Sequence, residues 1–600
     1  MSEKFENLLN LALETGGQER SRTSLLNTGY DSMNGTWEVI VKYHGDIGPL
    51  QEYGIRIEEL IAGYGILTVP ETEMDRLAEM PEIEYVEIPK SFYYQAVNVR
   101  QEACIAAVTA RDPFLTGEEV LIAVLDSGID AQSEEFRNAD GSTRIVAIWD
   151  QSIVTGSEAV SGLRPPEGFY KGVEIGEAEI NSFLIEMQRN GEGTLQQGIP
   201  GVPLMQSIGR DTSGHGTAVA GIAAGRYTGV APGSRLLIVK MDSPQTADVM
   251  RAVTYALRTA AGLQLSLVIN LSLGNTYGSH DGTSLLERFL DNAAEIGRTV
   301  IVVGAGNEGN SRGHYEGVLP VTDRGRNRED VQPVEVEIAV DNYQPSLSIQ
   351  LWKNYRDEYN IYLQSPGGSR QVLDDRVEQG KYTFQAENTE VLAYLGEPIP
   401  YSTDQEILVQ LIPASGIYIN SGLWKLILEP VDVREGSFSV YLPSYVIRNE
   451  GTGFTRPSPT ATFTIPSTAS KVITVGAYNS IYENYADFSG RGYAPGEREN
   501  IQTSRIQKPD LAAPGVDLLA PAVGGGYRQV TGTSFATPIV SGSAALLMEW
   551  GIERGNDFFL YGEKMKAYLQ RGAGSIRGED NYPNERVGWG ALCVRASLPI

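Results

Sequence analysis

A serine, a histidine and an aspartate each stand in a glycine-rich stretch of this 600-residue chain. Ser534 lies in the run Gly-Thr-Ser-Phe-Ala-Thr-Pro at 532–538, where small residues and an early proline predict the first turns of a helix. A serine there lies at the positive end of the helix dipole, and its own N–H can point at a developing oxyanion. Taken alone, the pattern predicts no more than an N-cap serine.

Two other residues complete a chemical group with this serine. Asp126 ends an apolar strand, Val120 to Leu125, and His215 opens an Ala/Gly/Val helix that runs to Ala224. A serine hydroxyl becomes a nucleophile when a neutral imidazole takes its proton and a carboxylate holds that imidazole in the right tautomer. The three residue types therefore predict nucleophilic catalysis. The G-x-S-x-G turn of α/β-hydrolases is not matched, because Ala536 occupies its last position.

The elements that must position these residues alternate between strand and helix. Apolar strands are expected at 235–241, 267–273 and 299–304, and helices with i, i+3, i+4 apolar spacing at 247–261 and 284–296. This alternation predicts an α/β fold with a parallel sheet and helices on both faces. Residues 151–210, rich in Gly, Glu and Gln, have weak periodicity and are predicted to be an insertion.

Two further domains differ from this pattern. A small α+β domain is predicted from strands near Trp37, Ile66–Val69 and Ile83–Ile88, with a helix opened by a Thr72/Asp75 capping box. Between Val331 and Leu442 only short alternating strands follow one another, which predicts an inserted β-sandwich or jelly roll. The predicted division is a flexible N-terminal segment 1–34, an α+β domain 35–96, a catalytic domain in two parts, 97–328 and 449–600, and the β-domain 329–448.

Composition limits the partners and the compartment. The 76 acidic and 48 basic residues give a net charge of −28, which argues against nucleic-acid binding. Neither a signal-peptide pattern nor 18 uninterrupted apolar residues occur, so no membrane span is expected and an intracellular location is predicted. Cys104 and Cys593 are predicted to be buried small residues in a reducing compartment, with reactive thiols as the alternative.

The motifs around the three residues resemble those of the subtilisin-like serine proteases. The order Asp126, His215, Ser534 is the order of subtilisin, and four other stretches add to the resemblance. These are Val-Ala-Pro-Gly at 230–233, Asn-Leu-Ser-Leu-Gly at 270–274, Gly-Ala-Gly-Asn at 304–307 and Lys-Pro-Asp-Leu-Ala-Ala-Pro-Gly at 508–515. The resemblance covers roughly 120–320 and 460–595 and implies a serine endopeptidase that acts on a protein substrate.

The resemblance also implies roles for other residues. Asn307 would donate its side-chain amide to the oxyanion, together with the N–H of Ser534, although a turn residue is the alternative. Ser272, Leu273 and Gly274 would form one wall of the substrate cleft, or simply a buried strand. No cofactor is required by this chemistry, no residues have zinc spacing, and the structural calcium common in the family is not identified by any loop.

The domain 35–96 resembles the propeptide of these proteases. Such a domain acts as chaperone and cleft-bound inhibitor, which predicts self-cleavage near Tyr94, Gln95 and Ala96; permanent attachment is the alternative. The propeptide without a signal sequence and the β-domain after Asn307 resemble the clostridial spore-germination proteases, which activate the proform of a cortex hydrolase. The alternatives are a catalytically silent sensor or scaffold and a general intracellular subtilase. His44, His280 and His314 are predicted to be surface or loop residues.

Overall fold

The computed structural model describes residues 2–20, 22–90, 93–94, 103–154, 162–190, 207–322, 332–373, 381–493 and 507–599. For Tyr93 and Tyr94 it describes the backbone alone. Among the described residues, one helix, Thr533–Glu553, is long and apolar enough to cross a membrane by length and composition. That helix is fully buried inside the protein, as expected of a core helix in this fold.

The N-terminal domain is an antiparallel sheet with four short helices. Strand β2 pairs with β4 on one side and with β1 and β5 on the other, and β3 pairs with β4. The predicted strands are confirmed. The elements are α1 Asn7–Glu14, α2 Gly17–Arg20, α3 Ser24–Asn27, β1 Tyr30–Asp31, β2 Thr36–Tyr43, β3 Arg56–Glu59, β4 Tyr64–Pro70, α4 Met74–Glu79 and β5 Ile83–Glu87, with 3₁₀ turns at Gly48–Tyr53, Ile61–Gly63 and Glu71–Glu73.

The central domain is built around a parallel sheet whose order, from one edge to the other, is β26-β25-β13-β11-β7-β10-β8-β9. Strand β27 runs parallel to β25, and the edge strands β9 and β26 are antiparallel. Its first part contains β6 Tyr93–Tyr94, α5 Ala106–Thr109, β7 Val120–Asp126, β8 Ile145–Asp150, β9 Val173–Gly176, α6 Glu177–Asn190, α7 His215–Ala224, β10 Arg235–Lys240, α8 Thr246–Leu263, β11 Ser266–Leu271, β12 Leu273–Gly274, α9 Leu285–Ala294 and β13 Thr299–Gly304. Its second part is given below, after the β-domain.

Eleven strands between these two parts form two antiparallel sheets, ordered β14-β23-β16-β21-β20-β19 and β18-β17-β22-β15-β24. Alternate residues of both sheets meet in one apolar cluster, as a sandwich requires. The sheets begin at His314 and end at Phe454, outside the predicted limits 329–448. The strands are β14 His314–Val318, β15 Val334–Val340, β16 Leu347–Asn354, β17 Glu358–Gln364, β18 Arg370–Leu373, β19 Lys381–Ala386, β20 Thr389–Leu395, β21 Asp404–Pro413, β22 Gly422–Asp432, β23 Ser437–Tyr441 and β24 Gly453–Phe454.

The central domain resumes with the strands that complete its sheet and with the serine helix. Helices α7 and α10 pack on one face of the sheet, and α8 and α9 on the other, so the predicted α/β fold with helices on both faces is confirmed. The elements are β25 Ile473–Asn479, β26 Asn484–Tyr485, β27 Leu511–Pro514, β28 Leu518–Pro521, β29 Tyr527–Val530, α10 Thr533–Met548, α11 Gly562–Gly572 and α12 Val594–Ser597, with a π-helical turn at Glu549–Glu553.

The described part of the N-terminal segment, which was predicted to be flexible over 1–34, forms three short helices. This part, 2–20 and 22–34, carries α1, and the apolar side chains of α1, among them Leu8 and Leu9, are buried. They pack between the α+β domain and Leu408 and Ile412 on the outer face of the β-sandwich. The surfaces that α1 contacts come from residues far away in the chain, so the local sequence does not indicate them.

The prediction of two separate reduced cysteines is wrong. Cys104 and Cys593 form a disulfide across 489 residues of sequence. Cys104 is exposed and Cys593 half-buried, so neither is the buried small residue expected. The bond joins the segment before β7 to the residue that precedes α12, and it removes the argument for a reducing compartment.

The prediction of surface or loop positions is also wrong for two of the three remaining histidines. His280 and His314 are buried, and their rings stack on Tyr441 with centroid distances of 3.9 and 4.5 Å. The side chain of His44 is 63% exposed, as predicted. Tyr441 lies in β23 of the sandwich, so a contact between domains covers His280, while His314 lies in β14 and pairs with Tyr441 in the same sheet.

Two local predictions need smaller corrections. The helix expected at Thr72 begins at Met74, after a 3₁₀ turn, and no side chain caps it. The insertion 151–210 adds an antiparallel edge strand, β9, and the helix α6 to the sheet. Residues 155–161 and 191–206 of this insertion lie outside the described part.

Candidate active site

Asp126 and His215 meet at the carboxyl end of the central strand β7. The Nδ1 atom of His215 lies 2.7 Å from Oδ1 of Asp126, and both side chains are buried. The main-chain N–H of Ser127 donates to the same carboxylate oxygen at 2.7 Å. A buried carboxylate that contacts Nδ1 fixes the imidazole ring and leaves Nε2 as the proton acceptor.

A glycine lets the histidine helix approach the strand this closely. A Cβ at Gly216 would lie 2.2 Å from the carbonyl oxygen of Gly128 and 3.1 Å from Oδ1 of Asp126. Gly214, immediately before α7, has φ of +76°, a left-handed conformation that favours glycine. The Gly-His-Gly pattern is therefore the local condition for the contact between Asp126 and His215.

Asp211 holds the turn before His215, and the sequence analysis missed it. Its Oδ1 accepts hydrogen bonds from Ser127 Oγ at 2.9 Å and from Gly214 N at 2.7 Å, and its Oδ2 accepts from Thr217 N at 2.8 Å. Burial acts to raise the pKa of Asp211, but these hydrogen bonds outweigh it and the pKa is lowered. An aspartate shortly before a helix start was the available signal.

Ser534 is the second residue of α10, and a proline determines the contacts of its carbonyl group. Pro538 has no N–H to donate to the carbonyl four residues earlier, which is that of Ser534. The hydroxyl of Ser272 donates to this carbonyl instead, at 2.6 Å. In return, the Ser534 hydroxyl donates to the carbonyl oxygen of Ser272 at 3.2 Å.

This contact continues into a chain of buried hydrogen bonds. Asn270 Nδ2 donates to Ser272 Oγ at 2.9 Å, and Ser541 Oγ donates to Oδ1 of Asn270 at 2.7 Å. Strand β11 and helix α10 are thereby held in register beside Ser534. The supporting role of Asn270 and Ser541 was not predicted, because it depends on which helix lies against the strand.

Asn307 follows β13, directly beside the start of α10. Its Oδ1 accepts hydrogen bonds from the main-chain N–H of Thr533 at 2.9 Å and from the Thr533 hydroxyl at 3.0 Å. Because the oxygen is held in this way, the amide NH₂ is the end of the side chain that points away from Thr533. Such a fixed donor beside Ser534 is the arrangement expected of an oxyanion site.

The predicted cleft wall carries part of the chain's own N-terminal region. The backbone of β6 pairs antiparallel with β12, with Tyr94 opposite Leu273 and Tyr93 opposite Gly274. This is how a peptide adds a strand to an exposed edge. Of the predicted cleavage region, Tyr94 therefore lies in the cleft, while Gln95 and Ala96 lie outside the described residues.

A small cavity of about 10 Å³ lies between this wall and the serine helix. It is lined by Ser272, Leu273, Gly274, Gly304, Gly306, Thr464, Thr533 and Ser534. A Cβ at Gly274 or Gly306 would lie 2.3 or 2.4 Å from the Thr464 hydroxyl oxygen, so glycine is required at both positions. The structure thus brings the predicted wall residues together at one pocket next to Ser534.

No metal site accompanies this arrangement in the part of the chain that the structure describes. Within it, no group of three or more His, Cys, Asp or Glu side chains could hold a metal ion.

Two family models match the chain. The subtilase family matches residues 117–373 and 449–590, and the Csp protease B prodomain matches residues 3–90. The first match leaves out residues 374–448, which contain five of the eleven sandwich strands, and includes Asp126, His215, Asn307 and Ser534. The second covers the buried N-terminal helices as well as the sheet.

Solved structures and curated proteins agree with these matches. The CspB protease of Clostridium perfringens is 31% identical and superposes with a TM-score of 0.70 over 82% of this chain and 95% of that one. The subtilisin-like protease SBT3.17 of Arabidopsis thaliana is 28% identical over 459 residues, 72% of this chain and 54% of the relative. SBT3.8 of the same plant is 23% identical over 79% of this chain.

The chain spans a little more than half the length of these plant relatives, 54% and 62%. Its match to the subtilase model nevertheless covers both parts of the central domain, and the prodomain model covers most of the rest of the N-terminal region. On this evidence the chain belongs to the subtilase family of serine proteases and carries a prodomain of the Csp type.

Proposed function

We propose that this chain is a serine endopeptidase in which Ser534 is the nucleophile, His215 the general base and Asp126 the residue that orients the base. The observation that carries the proposal is the buried contact of 2.7 Å between Asp126 and His215, with Ser534 at the start of the adjacent core helix. The rings of His215 and Phe535 lie 4.9 Å apart, so the residue next to Ser534 packs on the imidazole.

The reaction begins when the Ser534 hydroxyl leaves Ser272 and turns towards His215. The imidazole takes the hydroxyl proton as Oγ attacks the substrate carbonyl, and Asp126 stabilises the resulting cation. Negative charge on the carbonyl oxygen is stabilised by the amide of Asn307 and the N–H of Ser534. His215 then returns the proton to the leaving amine, and water hydrolyses the acyl-enzyme by the same steps in reverse.

Substitutions of the proposed catalytic residues should lower the activity by different amounts. In subtilisin, on which these figures were measured, loss of the serine costs about 10⁶-fold in kcat, loss of the aspartate about 10⁴-fold and loss of the oxyanion asparagine about 10²- to 10³-fold. We expect this order for Ser534→Ala, Asp126→Asn and Asn307→Ala in hydrolysis of a fluorogenic peptide. Ser543→Ala is the matched control, because that hydroxyl donates only to the Ile539 carbonyl of the same helix.

We propose further that the N-terminal domain is a self-cleaved prodomain. The pairing of Tyr93 and Tyr94 with β12 supports this, because the backbone of both residues lies along the predicted substrate wall as the backbone of a substrate would. Cleavage close to Tyr94, Gln95 and Ala96 would leave the prodomain bound as a product. N-terminal sequencing of purified protein should give a new terminus near these residues, and a single unprocessed terminus in Ser534→Ala.

The substrate is proposed to be a protein that is activated by limited cleavage. Similarity to the C. perfringens CspB protease over most of both chains supports a role in spore germination, with the proform of a cortex hydrolase as the target. We therefore propose a spore-associated location. Incubation of the enzyme with such a proform should give one defined cleavage, whereas general digestion would favour a housekeeping protease.

Neither a cofactor nor a membrane enters the proposed mechanism. The alternative is a catalytically silent scaffold with the same fold, in which Asp126 and His215 are in contact but the protein cleaves no peptide bond. Wild-type protein that hydrolyses no peptide under any condition, in a correctly folded state, would favour that alternative.

A further inference from the structure

A second pocket, of about 420 Å³, is lined by Asn307 and lies between the catalytic domain and the β-sandwich. It shares no lining residue with the cavity described above. Asn307 and the ring of Phe488 contribute from the catalytic domain, and the segment 445–452, which follows the last strand of the six-stranded sheet, contributes the facing wall.

The position of the prodomain tail shows which side of the cleaved bond this pocket serves. Tyr93 and Tyr94 lie along β12, so the peptide that precedes the bond occupies the side of Leu273 and Gly274. The carbonyl oxygen of the cleaved bond would point at Asn307, so a substrate that continues past Ser534 would run beside this residue. Beyond Asn307 it meets the second pocket, which therefore faces the leaving-group side.

The wall from the β-sandwich is tied to the oxyanion residue. Glu308, which follows Asn307, accepts hydrogen bonds from Ser444 Oγ at 2.5 Å and from Tyr445 N at 3.3 Å. The turn Tyr445–Ile447 then exposes three apolar side chains, with Tyr445 43% exposed. Of these three, Tyr445 lines the pocket, so the inserted domain supplies one aromatic side chain that is anchored next to the oxyanion residue.

The inner wall of the pocket carries positive charge. The side chain of Arg448 is 1% exposed, and its nearest carboxylate, that of Glu308, is 4.0 Å away. Among the described residues, Nε of Arg448 has no hydrogen-bond partner. Burial lowers the pKa of Arg448, Glu308 opposes this and Arg312 adds to it. Arg448 also donates to the carbonyl oxygens of Thr452 at 2.8 Å and Ser311 at 3.1 Å, and Arg312 adds a second guanidinium group to the lining of the pocket.

We propose that this pocket is a leaving-group-side subsite that favours an acidic side chain within the first three residues after the cleaved bond. The proposal rests on the protease function proposed above. Tyr445 and Phe488 would contact the stem of the side chain, and Arg312 and Arg448 would attract its carboxylate. The carboxylate of Glu450, which is exposed at the edge of the pocket, repels an acidic side chain and so weakens this attraction.

The test uses pairs of internally quenched peptides that are identical before the cleaved bond and carry Glu or Lys at one position after it. The measured quantity is the ratio of kcat/KM for the Glu and Lys peptides. We expect wild type to prefer Glu, Arg312→Gln to lower the ratio by about three- to tenfold, and Glu450→Gln to raise it, as for charges at a partly exposed interface. Arg571→Gln, an exposed arginine that does not line the pocket, should leave the ratio unchanged.

All variants are first reacted with a fluorophosphonate, which reports the serine independently of the pocket. Full labelling with ratios that do not respond to Arg312 or Glu450 would overturn the subsite and leave the protease function intact. Absence of labelling in wild type would contradict the protease function itself. A preference for Lys in wild type would contradict the proposed charge selection.

Discussion

The prodomain is attached to the rest of the molecule at two places that differ in kind. At the cleft, the described contact is a backbone pairing of two residues, Tyr93 and Tyr94, with β12. At the opposite end, Arg251 of α8 lies buried between Glu58 and Glu38 of the prodomain sheet, with Nε 2.6 Å from Glu58. The first contact imitates a substrate, whereas the second is a buried ionic and apolar interface.

Because the two attachments differ, cleavage of the chain and release of the prodomain would be separate events. A cut near the cleft removes a covalent link but leaves the interface of α8 and the α1 cluster untouched. The β-sandwich contributes to that interface through Glu406, which accepts a hydrogen bond from Asn7 at 3.0 Å. We therefore expect the prodomain to remain bound after processing, while the cleft contact is the part that a substrate replaces.

The largest effect is expected from Arg251→Met. Burial alone would lower the pKa of Arg251, but Glu38 and Glu58 raise it above its ordinary value. Removing the guanidinium leaves these carboxylates buried without their partner, at a cost of about 3–5 kcal/mol. Denaturant titration should show this loss, with prodomain release from processed protein on size exclusion. Arg235→Met, which removes an exposed pair with Glu177, should cost less than about 1 kcal/mol.

A cavity at the α1 cluster should also weaken the interface. Leu9 is fully buried between the prodomain and the β-sandwich, so Leu9→Ala should cost about 2–5 kcal/mol and increase prodomain release. Leu263→Ala, at a position 40% exposed, is the control. Equal prodomain retention in Leu9→Ala and wild type would show that the N-terminal helix does not anchor the domain.

The junction between catalytic domain and sandwich supplies a contact with a different pH dependence. Burial lowers the pKa of His280 from its ordinary 6.5 to about 4, against the opposing hydrogen bonds of Thr276 and Phe463. The unfolded chain therefore binds the proton more readily, and stability is lost as pH falls from about 6.5 towards 4, by up to about 3 kcal/mol.

His280→Phe keeps an aromatic ring against Tyr441 and removes this titration. Thermal unfolding between pH 7 and 4 should show a smaller loss of stability in this variant than in wild type. His44→Gln, which changes a largely exposed histidine, should follow the wild-type curve. If His280→Phe also follows the wild-type curve, the buried imidazole does not contribute to acid sensitivity.

The smallest effect on stability is expected at the cleft. Tyr94→Pro removes one backbone N–H from the pairing with β12, which should cost less than about 1.5 kcal/mol. Hydrolysis of an added peptide by processed protein should nevertheless increase, because the C-terminal end of the prodomain then competes less well with the peptide for pairing with β12. Tyr94→Ala keeps the N–H and is the matched control; a stability loss as large as that of Arg251→Met would contradict the comparison.

Local patterns predicted the parts of the fold whose chemistry is local. The alternation of strands and helices, the short alternating strands of the sandwich and the glycines around His215 carry signals within a few residues. The supporting roles of Asn270 and Ser541 had no such local signal, because a hydrogen bond between distant residues can be recognised only when both partners are located in the fold. The Cys104–Cys593 disulfide and the burial of His280 likewise depend on residues hundreds of positions apart.

The catalytic assignment depends on whether Ser534 is an activated nucleophile. Reaction of purified wild-type protein with a fluorophosphonate, followed by peptide mapping, measures this directly. The account predicts one phosphonylated residue, Ser534, and no labelling in His215→Ala. Labelling at another residue, or none in folded and processed protein, would contradict it.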